Sequence, residues 1–224
     1  MGKRGTKPQG KVKVKWSPNF AYALGLLATD GNLSPDGRHI TFTSKDLELI
    51  KIFNECLGLE NHIGRKGSGS TSGKKYFVSQ FSDVIFYRFL ISIGITPRKS
   101  LTIGRVKIPI KYMKDFLRGC SDGDGTFYSY WDPRWKSSFM FYTEFISASK
   151  KHITWLREQI EKLIGIKGHI TTGQKIGGNV CYQLKYAKKE SLRVLKYMYY
   201  SDVPCLTRKK LKINKALSII GESL

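Results

Sequence analysis

The sequence predicts an α+β fold built from two αββαββα repeats, and three observations carry that prediction. Two nine-residue segments share one pattern, Ala23-Leu24-Gly25-Leu26-Leu27-Ala28-Thr29-Asp30-Gly31 and Leu117-Arg118-Gly119-Cys120-Ser121-Asp122-Gly123-Asp124-Gly125. Each has a glycine, an aspartate five residues later and a closing glycine. Around each segment the apolar periodicity alternates between helix and strand in the same order. Matching punctuation also recurs. Ser44-Lys45 and Ser149-Lys150 open helices, Leu57-Gly58-Leu59 and Ile164-Gly165-Ile166 close them, and Thr96-Pro97-Arg98-Lys99-Ser100 and Pro204-Cys205-Leu206-Thr207-Arg208-Lys209 end each half. Internal duplication of this kind predicts two like units related by a pseudo-twofold axis.

In the first half, Ser17 reads as an N-cap followed by Pro18 at the first helical position. The helix is expected to run to about Thr29, with Phe20, Leu24 and Leu27 on one side. Strands are expected at 32–34 and 38–43, joined by the turn Pro35-Asp36-Gly37. A second helix, 45–57, puts Leu49, Ile52, Phe53 and Leu57 at core spacing, with Ser44 as its cap. Strands at 63–66 and 74–81 flank a Gly/Ser stretch, and a third helix spans 83–93. The second half repeats the course: helix 111–121, strands 126–131 and 139–146, helix 150–163 behind Ser149, strands 169–174 and 180–186, helix 188–199, and a last helix from near Arg208. The expected organisation is a flexible basic arm over 1–15, an N-terminal half over 16–94, a connector over 95–109 and a C-terminal half over 110–224.

Composition narrows the function. The chain has 224 residues with 39 Lys+Arg against 17 Asp+Glu, a net charge of +22, which is the footprint of a nucleic-acid partner. No apolar run reaches the roughly 18 residues of a membrane span, and no apolar core follows the basic N-terminus as a signal peptide requires. Cys56, Cys120, Cys181 and Cys205 lack C-x-x-C spacing, which argues against a zinc site or a disulfide framework. A reducing compartment that holds nucleic acid, cytoplasm or organellar matrix, is expected. The arm, with Lys3, Arg4, Lys7, Lys11, Lys13 and Lys15, reads either as a phosphate-contacting element or as a solubilising tail.

Gly25 and Gly119 fall inside helices, where glycine costs about 1 kcal/mol relative to alanine. That cost is reasonable where another backbone approaches closely. Ala21, Gly25 and Thr29 are spaced by four, as are Gly119 and Gly123, so each set forms a stripe of small residues on one helix face. The expectation is that the two motif helices pack along these stripes and bring Asp30 and Asp124 together at their C-terminal ends. Two carboxylates there repel each other and the negative end of the helix dipole, and a hard divalent cation resolves the conflict. Mg²⁺, or another divalent cation such as Mn²⁺, suits phosphodiester hydrolysis. A calcium loop at Asp122-Gly123-Asp124-Gly125 is excluded, because the EF-hand pattern needs further acids and a glycine at its sixth position.

These residues resemble the LAGLIDADG homing endonuclease family in its single-chain, two-motif form. The resemblance extends from about Ser17 to the C-terminus. The first motif keeps Gly25, Leu26, Asp30 and Gly31, and the second keeps Leu117, Gly119, Asp122, Asp124 and Gly125. The resemblance implies that the motif helices form the interface between halves and that Asp30 and Asp124 bind metal, with the carbonyls of Thr29 and Gly123 joining them. It also implies a basic active-site residue at the end of each half. Lys99 and Lys209 are the candidates, with Arg98, Arg208 and Lys210 as alternatives and plain phosphate anchoring as the competing role. Ser44 and Ser149 stand where the family positions water, a role that competes with N-capping. Ala28 departs from the motif's first acid, which is not a metal ligand in the family.

The resemblance implies a saddle of antiparallel strands lying in the DNA major groove, where all four base pairs are distinguishable. With Leu33, Ile40, Phe42, Phe127 and Leu184 turned inward, alternation leaves Asn32, Ser34, His39, Thr41, Thr126, Tyr128, Tyr130, Gln183 and Lys185 facing outward, and Lys74 and Gln80 share one face of their strand. Each is a candidate DNA contact or solvated surface. The long loop Trp131-Asp132-Pro133-Arg134-Trp135-Lys136 either clamps the backbone or folds on itself. The implied function is a monomeric, site-specific endonuclease of homing type that cuts both strands of a pseudo-palindromic duplex and leaves short 3′ overhangs. The alternatives are an RNA-splicing maturase acting on its host intron RNA, a non-cleaving DNA-binding protein on the same fold, and a generic RNA-binding protein.

Overall fold

The computed structural model describes residues 10–67, 75–174 and 180–224. The N-terminal half is α1 (Pro18–Asp30), β1 (Gly31–Leu33), β2 (His39–Ser44), α2 (Leu47–Leu57), β3 (Ile63–Gly67), β4 (Lys75–Ser82) and α3 (Val84–Ile93). The C-terminal half is α4 (Met113–Asp122), β5 (Thr126–Trp131), β6 (Phe139–Ser147), α5 (Lys150–Ile164), β7 (His169–Gln174), β8 (Val180–Ala187) and α6 (Lys188–Met198), followed by α7 (Thr207–Ile219). Each half carries a four-stranded antiparallel sheet, in the orders β1-β2-β4-β3 and β5-β6-β8-β7. The two topologies are the same, so the repeated αββαββα order predicted from the sequence is the observed one.

Local chemistry explains the element boundaries. The Ser17 hydroxyl accepts from Phe20 N and Pro18 opens α1, as the sequence predicts. Asp83 caps α3 by accepting from Phe86 N, and its other oxygen accepts from the amides of Lys11 and Val12 at 2.6 and 2.9 Å. Val12 is buried, so the segment expected to be a flexible arm is anchored from residue 11 onward; Lys3, Arg4 and Lys7 lie outside the described residues. Gly58, Gly94 and Gly165 end their helices in the left-handed conformation.

The two serines expected as helix caps behave differently. Asp46, not Ser44, occupies the N-cap of α2, and the Ser44 hydroxyl, two residues earlier, accepts from Asp46 N. Ser149 does stand at the N-cap of α5, but its hydroxyl donates to the carbonyl of Ile103 and makes no capping bond. Its partner comes from the connector, which the helix-start pattern does not reveal.

The core is continuous across both halves and is centred on α1 and α4. The helices run parallel and touch backbone to backbone. A Cβ on Gly25 would lie 2.2 Å from the carbonyl oxygen of Phe116 and 2.9 Å from the Cα of Gly119, and a Cβ on Gly119 would lie 2.1 Å from the carbonyl oxygen of Tyr22. One turn on, a Cβ at Gly123 would overlap the Thr29 hydroxyl at 2.0 Å. Ala21, one turn before Gly25, is fully buried. Each half also braces the other. Arg208 forks onto Asp46 at 3.0 and 2.7 Å, while His152 of α5 bonds the carbonyl of Gly104 at 2.8 Å.

Overpacking against backbone cannot be relieved by a rotamer change. Gly119→Ala is therefore expected to cost about 3 kcal/mol or more in urea unfolding, while Gly64→Ala, whose added methyl would meet only the Val78 carbonyl at 3.8 Å, stays within about 1 kcal/mol of the parent. Equal stabilities for the two variants would contradict the packing.

Candidate active site

The parallel packing of α1 and α4 sets their C-terminal ends side by side, and there the motif acids meet. A Cβ on Gly123 would lie 3.2 Å from Asp30 Oδ2, so the Asp30 carboxylate reaches across the interface to the residue preceding Asp124. Asp30 is half-buried and Asp124 is exposed. Burial first, and the negative charge of Asp124 second, push the Asp30 carboxyl up to about 7, against the pull of Lys99 and Lys209. The two halves therefore contribute one acid each to a single electrostatic site.

The lysines occupy equivalent positions. Lys99 is buried and donates to the carbonyls of Thr29 at 3.0 Å and Gly31 at 2.6 Å. Lys209 donates to the carbonyls of Ser121, Asp122 and Gly125 at 2.6, 3.0 and 2.7 Å and lies 3.4 Å from that of Gly123. Each ammonium thus closes the carbonyl end of its own motif helix, where a cation is favoured by the helix dipole. Burial lowers the Lys99 ammonium to about 8 and also lowers Lys209. Of the alternative cations, Arg208 is committed to Asp46.

The motif's other acid has a different position. Asp122 is fully buried and accepts from the Tyr22 hydroxyl across the helix pair at 2.7 Å and from Leu206 N at 2.9 Å. In the duplicated pattern Ala28 stands where Asp122 does and Phe116 where Tyr22 does, so the equivalent positions carry no hydrogen-bonding side chain. Asp122 therefore ties the interface and the segment leading to Lys209, and it lies apart from the acid pair's surface.

Three features near the site are not predicted from the sequence. Arg118 is fully buried on α4, paired with Asp115 at 2.8 Å and donating to the carbonyls of Met198 and Pro204. His152 is held neutral by burial, which lowers it to about 4. A cavity of about 20 Å³ touches Ala28, Thr29, Asp124 and His152. Asp115 and Arg118 stand three residues apart on α4, and what buries them is chain that arrives some eighty residues later.

The outer faces of both sheets carry the expected alternation. Leu33, Ile40, Phe42, Phe127 and Leu184 are buried inward. Asn32, Thr41 and Gln80 form one row across β1, β2 and β4, with Asn32 and Gln80 exposed. His39 is bonded to Asp36 of its own turn, and Ser34 lies in the turn with its carbonyl accepting from Tyr87. On the second sheet, Thr126 and Gln183 are half-buried, Tyr130 is exposed, and Tyr128 and Lys185 both bond Glu144. Lys74 lies outside the described residues. Trp131, expected to open the loop, is the last residue of β5 and pairs with Phe139; it and Trp135 are exposed, and Arg134 pairs with Asp132 of the same loop.

No protein-family model matches the chain, and no curated protein sequence matches it. Solved structures do. The chain is similar to the meganuclease I-SmaMI bound to uncleaveable DNA, at 13% identity and a TM-score of 0.57, over 95% of this chain and 92% of that one. It is similar to I-DmoI in complex with DNA and Ca, at 15% identity and 0.56, over 92% and 98%. It is also similar to full-length DUF199/WhiA from Thermatoga maritima, at 14% identity and 0.56, covering 96% of this chain but only 65% of that one. At these identities the likeness is one of fold: the chain has the LAGLIDADG fold.

The raised Asp30 carboxyl has a measurable consequence. A group held at about 7 when folded and 3.8 when unfolded loses stability as pH rises between those values, because only the unfolded chain ionises freely there. Asp30→Asn is expected to raise stability in chelator by roughly 2–4 kcal/mol at pH 8 and to leave it nearly unchanged at pH 4. Urea unfolding at both pH values checks this; a variant no more stable than the parent at pH 8 would contradict the site's electrostatics.

Proposed function

We propose that the chain is a site-specific DNA endonuclease that makes a metal-dependent double-strand break. The observation that carries this reading is the meeting of Asp30 and Asp124 at one end of the helix pair, flanked by the carbonyls of Thr29 and Gly123 and by the buried Lys99 and half-buried Lys209. The donors are all hard oxygens. Among the described residues no cluster of three or more His, Cys, Asp or Glu exists. That donor set fits Mg²⁺ or Mn²⁺, which take one or two carboxylates and leave positions for substrate phosphate.

Asp30, Asp124 and the two carbonyls would hold the cation, which when bound supplies Lewis acidity for phosphodiester hydrolysis. Lys99 and Lys209 offset the acids' charge and orient the carbonyls they bond. Lys99, with its ammonium near 8, is able to hold or yield a proton close to neutral pH. The sheets supply the duplex-reading surface: Asn32, Thr41 and Gln80 from one half, and Thr126, Tyr130 and Gln183 from the other. The net charge of +22 favours a polyanion. I-DmoI is solved with DNA and Ca, and with DNA and Mn, and I-SmaMI is solved with DNA, which supports a duplex partner and a divalent cation.

A second reading is a DNA-binding protein that does not cut. DUF199/WhiA, described as carrying an N-terminal LAGLIDADG domain, has the same fold, so the fold by itself does not argue for cleavage. The acid pair does. Asn32, two residues after Asp30, is exposed in β1, and Thr126 follows Asp124 at the same spacing, which supports an acid pair beside the row that would face the duplex.

Incubation with a randomised duplex library in Mg²⁺, followed by sequencing of cut ends, tests the proposal. The expected result is cutting of both strands at one sequence, lost in chelator. Asp30→Asn and Asp124→Asn are each expected to reduce double-strand cutting at least about 100-fold while duplex binding persists. Undiminished cutting by either variant, or selective duplex binding with no cutting by the parent, would overturn it.

A further inference from the structure

The two sheets differ in one row of their outer faces. Two residues beyond each motif acid, Asn32 and Thr126 begin equivalent rows that run straight across the strands. In the N-terminal half the row is Asn32, Thr41 and Gln80, all neutral. In the C-terminal half it is Thr126, Glu144, Lys185 and His169. The duplex-facing surface of one half therefore carries an ion pair where the other carries a hydroxyl and an amide.

Glu144 is out of place for a surface that only grips phosphate, because a carboxylate there repels the DNA backbone. It is nonetheless tightly held. Its Oε1 accepts from Lys185 Nζ at 2.8 Å and from the Tyr128 hydroxyl at 2.9 Å, and it is 5% exposed. Lys185 in turn lies 5.7 and 5.8 Å from the ring centres of Tyr128 and Tyr142, which stack on each other at 5.1 Å. The ammonium is therefore a fixed donor rather than a mobile arm, and a fixed acceptor stands one hydrogen bond away from it.

We infer that Glu144 and Lys185 together read one C·G base pair in the half-site bound by the C-terminal half, an inference that rests on the duplex-reading role proposed above. In the major groove cytosine offers the N4 amino donor and guanine the O6 and N7 acceptors. In the C·G pair the N4 donor and O6 acceptor lie about 2.9 Å apart, side by side, and the 2.8 Å bond from Lys185 Nζ to Glu144 Oε1 likewise holds an ammonium beside a carboxylate whose second oxygen would face the cytosine. Carboxylate to cytosine N4 and ammonium to guanine O6/N7 are the favoured pairings for these side chains. Glu144 spends one oxygen on its protein partners, and a carboxylate has about four lone-pair sites in all. The Tyr128–Tyr142 stack fixes the geometry from one side. The row's counterpart, Thr41 and Gln80, lacks both charges, so the C·G requirement falls on one half-site only.

The test is binding selection from a randomised duplex library, using the full chain with Asp30→Asn and Asp124→Asn so that binding is read without cutting. The parent is expected to enrich C·G at one position of one half-site. Exchanging the pair, Glu144→Lys with Lys185→Glu, keeps an ion pair and is expected to turn that position to G·C. Glu144→Gln alone, which keeps an acceptor oxygen for Tyr128, is expected to lower the C·G preference there about tenfold and leave the other half-site unchanged. A selected sequence that stays the same at every position in both variants, or that holds A·T at the responsive position, would overturn the inference and leave the duplex-reading role intact. No selected sequence for the parent would overturn both.

Discussion

Everything in this molecule depends on how closely two helices approach. Gly25 and Gly119 let the backbones of α1 and α4 come within contact of each other, and any Cβ at either position would sit about 2 Å from a carbonyl oxygen. That approach converts two like halves into one core, and it decides where the helix ends finish. Because the helices are parallel and in step, Thr29 meets Gly123 and the Asp30 carboxylate lies beside the second motif. A wider spacing would separate the acids and leave each as an ordinary carboxylate at a helix terminus.

The close approach concentrates charge in a way the fold must offset. Two acids and two carbonyl ends converge, and the Asp30 carboxyl is accordingly driven up to about 7. Lys99 and Lys209 answer this from within the fold, bonding the terminal carbonyls and drawing on the acids' charge. The segments carrying the two lysines are held by the opposite half: Arg208 by Asp46 of the N-terminal half, and the connector after Lys99 by Ser149 and His152 of α5. The site and the union of the halves are one structural fact.

Much of this was legible in the sequence because it is written in local pattern. The duplicated glycine and aspartate spacing gave the helix interface, and alternation gave the inward and outward sides of the strands. What could not be read depends on chain far away. Ser149 was expected to cap its helix, but the connector offers it the Ile103 carbonyl instead. The burial of Asp115 and Arg118 depends on residues 198–204, far along the chain. Tyr128 and Lys185, read as outward-facing contacts, share Glu144, a residue that alternation alone did not single out because its importance lies in the register between β6 and β8.

The most direct test of the account is an anomalous-scattering map of the protein crystallised with its selected duplex and Mn²⁺. Peaks lying within coordination distance of both the Asp30 and Asp124 carboxylates, beside a backbone phosphate, are what the account predicts. A complex in which manganese binds elsewhere, or in which the two carboxylates face away from the DNA, would contradict it.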